Sequence, residues 1–135
     1  MNKGIVLALL VFLSIGLASF ALGGDKLVSI QKDPVAKAYV ISEVEILDEN
    51  AANHYKQFAA ASIAAYGGRY LVRGAEPEVA EGQVTSRRII IAEFPSMDIL
   101  HKWYKSPEYA KALQFRKTAL DRRLMFVEGM KIINR

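Results

Sequence analysis

Glu43, Glu93 and Glu128 fall on stretches that alternate in the strand manner, and Arg69 and Arg73 fall on a neighbouring stretch of the same kind. Paired strands can bring such groups around one cavity. There a desolvated carboxylate with a raised pKa can act as general base, and an arginine can hold an anionic or enolate substrate. Glu93 and Glu128 are the candidate bases, and Arg73 is the candidate anion stabiliser. The simpler alternative is a structural ion-pair network across one sheet face. Parity also complicates the catalytic version. Glu128 shares a strand face with Leu124 and Phe126, and nothing in the spacing makes that face meet the one bearing Glu93.

Tyr39, Trp103, Tyr104, Tyr109 and Phe115 form an aromatic set able to wall a pocket between a helix and the sheet, with surface for a flat hydrophobic ligand. Tyr39, Arg69, Trp103 and Tyr109 are therefore the pocket candidates, and ordinary core packing is the plain alternative. His54 and His101 are the two histidines. Neither has a second histidine four residues on or a carboxylate at ligand spacing, so no metal site and no cofactor are expected. No Gly-x-Ser-x-Gly elbow is present for a Ser-His-Asp triad. Gly67-Gly68 follows a helical pattern and precedes a strand pattern, the reverse of the order a phosphate-binding loop needs.

The elements that must position these residues occupy the chain after its first two dozen positions. Lys3, the uncharged apolar run from Ile5 to Leu13, and small residues at Ser19 and Ala21 read as a signal peptide over residues 1–21. The alternative is an uncleaved anchor, which would be the chain's one contact with a membrane. Export leaves the protein periplasmic or secreted. The sequence of 135 residues contains no cysteine, so no disulfide, thiolate nucleophile or lipid attachment is available. The formal net charge of +4 is modest and spread along the chain, which does not describe a nucleic-acid-binding face. The pairs Arg87-Arg88 and Arg122-Arg123 each open a strand pattern and read as solvated strand ends.

Residues 22–36 form a linker, and the domain runs from residue 37 to residue 131. Ala38 to Ile46 alternates as a first strand. Asp48 caps a helix that reaches about Tyr66, and Gly67-Gly68 ends it. Arg69 to Glu76 is a second strand and Arg87 to Phe94 a third, whose three consecutive isoleucines place it near the sheet centre. Ser96 caps a second helix, and Ser106-Pro107 restarts it to Leu120. Arg122 to Met130 is the fourth strand. The order βαββαβ is an α+β, ferredoxin-like plan with a four-stranded antiparallel sheet. Helices cover one sheet face. The other is expected to carry Tyr39, Ile41, Leu71, Ile89 and Ile91 beside Glu43, Arg73 and Glu93, and a second copy of the chain would account for it.

Four linked segments carry a resemblance: Gly67 to Gly74, Ile91 to Ser96, Trp103 to Tyr109, and Phe126 to Gly129. In order and spacing they resemble the bacterial family called domain of unknown function 1330, across about Ala36 to Met130. The resemblance implies a ferredoxin-like subunit of the dimeric α/β-barrel superfamily, in which two sheets face each other. That superfamily includes cofactor-free oxygenases, muconolactone isomerases, haem-dependent chlorite dismutases and stress-responsive proteins, so it implies architecture more than activity. One departure is the leader, since members of the family are typically cytoplasmic. The expected function is an exported homodimeric module that binds a small molecule or a partner. The alternative is a cofactor-independent isomerase or oxygenase acting on a small aromatic or enolisable substrate.

Overall fold

The computed structural model describes residues 34–132. The expected leader, and the linker up to residue 33, lie outside them. Strand β1 (Ala38–Ile46) keeps the strict alternation of its sequence: Ala38, Val40, Ser42 and Val44 are buried, and the residues between them are half-buried or exposed. Helix α1 (Glu49–Ala65) begins where the Asp48 carboxylate accepts the Ala51 amide at 2.7 Å, satisfying a donor the helix itself leaves orphaned. It ends in a Schellman turn. Gly67 takes φ +69°, its amide donates to Ala64 at 3.0 Å, and the Gly68 amide donates to Ile63 at 2.9 Å.

Strand β2 (Arg69–Ala75) returns along the sheet, and β3 (Arg88–Phe94) starts one residue later than its sequence pattern implies. Helices α2 (Met97–Tyr104) and α3 (Pro107–Ala119) each open on a serine cap, Ser96 accepting from Ile99 and Ser106 from Tyr109. Strand β4 covers Leu120–Glu128, two residues earlier at both ends than expected. The shift has a local cause: Leu120 is both the C-cap of α3 and an extended residue (φ −142°, ψ 137°), so helix passes into strand with no turn between them.

The sheet order is β2-β3-β1-β4, with every neighbouring pair antiparallel, which is the α+β ferredoxin-like arrangement. β3 and β1 are central, as the isoleucine run implies. Register fixes the faces. Val40 lies between Ala92 and Phe126, and Val44 lies between Arg88 and Arg122, all on the side the helices cover. Tyr39, Ile41 and Glu43 face the other way with Glu93, Ile91 and Ile89.

Trp103, Tyr109, Phe94 and Leu100 fill the space between sheet and helices and are fully buried. The Trp103 ring lies 4.2 Å from that of Tyr109 and 4.9 Å from that of Phe94, centroid to centroid. Its indole N–H donates to Ser62 Oγ at 3.0 Å, and Ser62 donates on to the Ala59 carbonyl at 2.8 Å, so the one polar atom of the largest core side chain is satisfied. α1 and α3 meet through Phe115, which stacks on Phe58 at 5.8 Å and on His54 at 5.2 Å.

Where α1 ends, backbone and core are in close approach. A Cβ on Gly68 would stand 2.8 Å from both Ile63 Cγ2 and Phe94 Cε1. Gly68→Ala should therefore destabilise the domain by about 1–3 kcal/mol through overpacking. Urea unfolding of the two proteins measures it, and an unchanged midpoint would contradict the stated packing.

Candidate functional site

On β4 the alternation that points Leu124 and Phe126 at the helices also points Arg122 there, two residues earlier, while Arg123 turns to the open face and lies 3.8 Å from Glu43. Two helices bring phenols to the Arg122 guanidinium. Tyr55 comes from the buried side of α1 and Tyr109 from the first turn of α3. Arg122 Nη1 donates to Tyr55 Oη at 2.6 Å and to Tyr109 Oη at 2.9 Å, and the two hydroxyls lie 3.0 Å apart. Among the described residues no carboxylate stands within ion-pair distance of Arg122.

The hydrogen-bond count leaves capacity over. A guanidinium has five N–H donors, and two serve the tyrosines. One phenol O–H is used between Tyr55 and Tyr109, so one remains unspent. Burial pushes the Tyr109 pKa well above the ordinary tyrosine range, the neighbouring Tyr55 adds to the rise, and Arg122 opposes it. Tyr109 is thus a neutral hydrogen-bond donor and not a phenolate base. For Arg122, burial works against the charge, but the Tyr55 and Tyr109 oxygens outweigh it and hold the group above its ordinary value. A charge with spare donors beside it is a combination that can receive an oxyanion.

There is space beside them. Arg122, Tyr55 and Tyr109 line a cavity of about 40 Å³ together with Trp103 and Ser42. Ser42 is 4% exposed, and its Oγ is buried with no hydrogen-bond partner. Such a volume holds about one water or one oxygen-bearing group. A second cleft of about 280 Å³ adjoins it, sharing Val44, Tyr55, Tyr70, Ile90 and Leu120 as walls and adding Lys56, Arg73 and Arg88.

The structure divides the residues expected to act together. Tyr109 and Trp103 line the inner cavity. Tyr39, Arg69 and Glu93 gather on the open face instead: Arg69 Nε meets Glu93 Oε1 at 3.1 Å, and Tyr39 Oη lies 3.5 Å from Glu93 Oε2. Glu128 is exposed and pairs in register with Ala38, on the side of the sheet opposite Glu93. Arg73 corrects a second expectation. β2 shifts register between Tyr70 and Val72, and the extra residue moves Arg73 opposite Ile90, on the helix side, while Arg69 stays opposite Glu93. The bulge separates two arginines that plain alternation puts together. Its twin between Arg73 and Ala75 sits at Gly74, with φ +78°.

Arg122 departs from the sequence expectation, in which the pair Arg122-Arg123 reads as a solvated strand end. Its signal was present in the β4 pattern, since Arg122 has the parity of Leu124 and Phe126. Neither histidine lines the inner cavity or the cleft, and His101 packs 5.9 Å from the ring of Phe126. Among the described residues no group of three or more metal-ligating side chains occurs, and no helix is long and apolar enough to cross a membrane.

Comparison with known proteins places this geometry on a recognised fold. A crystal structure of a protein of unknown function from Rhodopseudomonas palustris superposes with TM-score 0.61 at 19% identity, covering 75% of this chain and 88% of that one. The methylated form of the same protein gives TM-score 0.60 at 19% identity, with 74% and 85% covered. A conserved protein from Bacteroides thetaiotaomicron, described as a possible oxidoreductase, gives TM-score 0.52 at 14% identity, with 69% and 97% covered. At these identities the likeness is one of fold. No protein of curated function matches the chain. Residues 37–130 match the family described as Domain of unknown function (DUF1330), and the chain belongs to that family.

Proposed function

We propose that the protein binds a small organic oxyanion, or a carbonyl or phenol able to become one, with Arg122 as the anchoring group. The single observation behind the reading is the Arg122 guanidinium, held by two tyrosine hydroxyls beneath the helices without a carboxylate partner among the described residues. Arg122 is half-buried, and a partly desolvated cation met only by neutral oxygens carries unspent attraction for an anion. Trp103 and Tyr109 supply flat apolar wall beside it. The protein is read as exported, from its leader, and as a homodimer, from an open sheet face that bears Tyr39, Ile41, Ile89 and Ile91 beside a few charges.

A second reading, a cofactor-independent isomerase or oxygenase, draws on the same donors, because a group that receives an oxyanion also stabilises an enolate. It needs a base within reach of the substrate. Glu93 lies on the other side of the sheet, Glu128 is exposed, and no carboxylate lines the inner cavity or the cleft among the described residues. Binding is therefore the better-supported reading.

Native mass spectra of the protein purified from its own cell envelope test this reading. A dimer carrying a reproducible small extra mass is expected, and Arg122→Gln should lose that mass while remaining a folded dimer. Retention of the same mass by Arg122→Gln would remove Arg122 from the site.

The donor role also requires Tyr109 to stay neutral. Because the folded state raises its pKa, this stabilising contribution is fully present below the unfolded tyrosine value of about 10 and is lost as pH rises through the folded one. Unfolding midpoints measured from pH 8 to pH 11 should fall toward the alkaline end, and more shallowly in Tyr109→Phe. Equal slopes would show that Tyr109 is not the group responsible.

A further inference from the structure

We propose that the ligand is a bipolar acid: a hydroxyl, enol or carbonyl oxygen enters the inner cavity, a carboxylate reaches the outer cleft, and a short flat body joins them. This rests on the Arg122 reading above and adds the second pole. The inner end is built for one oxygen. Its roughly 40 Å³ receive the Arg122 guanidinium, an unspent phenol O–H, and Ser42 Oγ, which is buried and without a partner. Ser42 can both donate and accept, so it suits a hydroxyl or a carbonyl oxygen equally.

The outer end is built for a carboxylate. Of the cations that line the cleft, Lys56 lies 3.9 Å from Glu49, and Arg88 lies 3.1 Å from Glu76. Arg73 has no carboxylate partner among the described residues. Its guanidinium lies over the Tyr70 ring, 4.7 Å from the centroid, an arrangement that leaves the N–H edge available for a bidentate carboxylate. The register shift in β2 is what puts Arg73 on this side at all.

Between the poles the walls are shared and largely apolar: Val44, Ile90 and Leu120, with the rings of Tyr55 and Tyr70. Arg73 stands on β2 and Arg122 on β4, the two outer strands of the sheet. Three strand spacings separate their backbones, about 14 Å.

The test uses 4-hydroxybenzoate, phenol and benzoate as probes, titrated calorimetrically into the protein and into Ser42→Ala, Arg73→Gln and Arg122→Gln. In the unaltered protein, 4-hydroxybenzoate should bind roughly tenfold or more tightly than either single-group probe, the scale of one hydrogen bond to a charged group. Arg73→Gln should reduce 4-hydroxybenzoate to the level of phenol and leave phenol unchanged. Ser42→Ala should weaken 4-hydroxybenzoate and phenol but not benzoate.

Two failures are distinguishable. If phenol and 4-hydroxybenzoate bind alike and Arg73→Gln changes neither, the second pole is refuted while loss of both in Arg122→Gln upholds the inner site. If Arg122→Gln binds every probe as the unaltered protein does, the inner site falls as well. Absence of binding by all three probes at millimolar concentration overturns the bipolar class outright.

Discussion

β1 is paired on both sides, to β3 and to β4, and a slip of one residue in either ladder would exchange the two faces of the sheet. That constraint decides what lies under the helices and what is left outside. Ala38, Val40, Ser42 and Val44 face inward, and their ladder partners Ala92, Ile90, Leu124 and Arg122 must follow them. Arg122 is inside for the same reason Leu124 is. Its neighbour Arg123, one residue on, is outside with Glu43.

An arginine forced inward needs partners, and the helices supply two neutral ones. A carboxylate there would have closed the charge and left an inert ion pair, as Arg69 and Glu93 do on the opposite face. Phenols accept hydrogen bonds from the guanidinium without cancelling its charge. Burial keeps Tyr109 protonated, so it does not turn into a phenolate counter-ion near neutral pH. What is left is a cation with donors to spare lining a small cavity, whereas the strand glutamate Glu93 is already paired with Arg69.

The sequence carried the element order, both serine caps, the double-glycine stop and the central place of β3, because each is a local signal: a capping oxygen, a positive φ, an apolar run. It carried the face assignment of β1 and β3 for the same reason. It failed at β2, where alternation over Arg69, Leu71 and Arg73 is regular in the sequence and interrupted in the sheet. A bulge is set by pairing with the neighbouring strand, and no property of the seven residues taken alone announces it. Trp103 and Tyr109, expected as pocket wall with core packing as the alternative, are fully buried core that also lines the small inner cavity. Arg122 was passed over because two adjacent arginines look solvated, although strand parity requires them to part.

Ser42 shows where stability and function pull apart. It sits in the middle of the central strand, on the core face, among Val40, Val44 and Ile90. A buried hydroxyl with no partner costs on the order of 1–3 kcal/mol, and alanine would fit the same backbone without that cost. Packing therefore gives no reason for an oxygen at this position. Across the same small cavity lie the hydroxyls of Tyr55 and Tyr109 and the guanidinium of Arg122, the groups that the proposed ligand oxygen would meet together with Ser42. Ser42 Oγ is the buried side-chain polar atom left without a partner among the described residues, and one oxygen atom brought into the cavity would supply it.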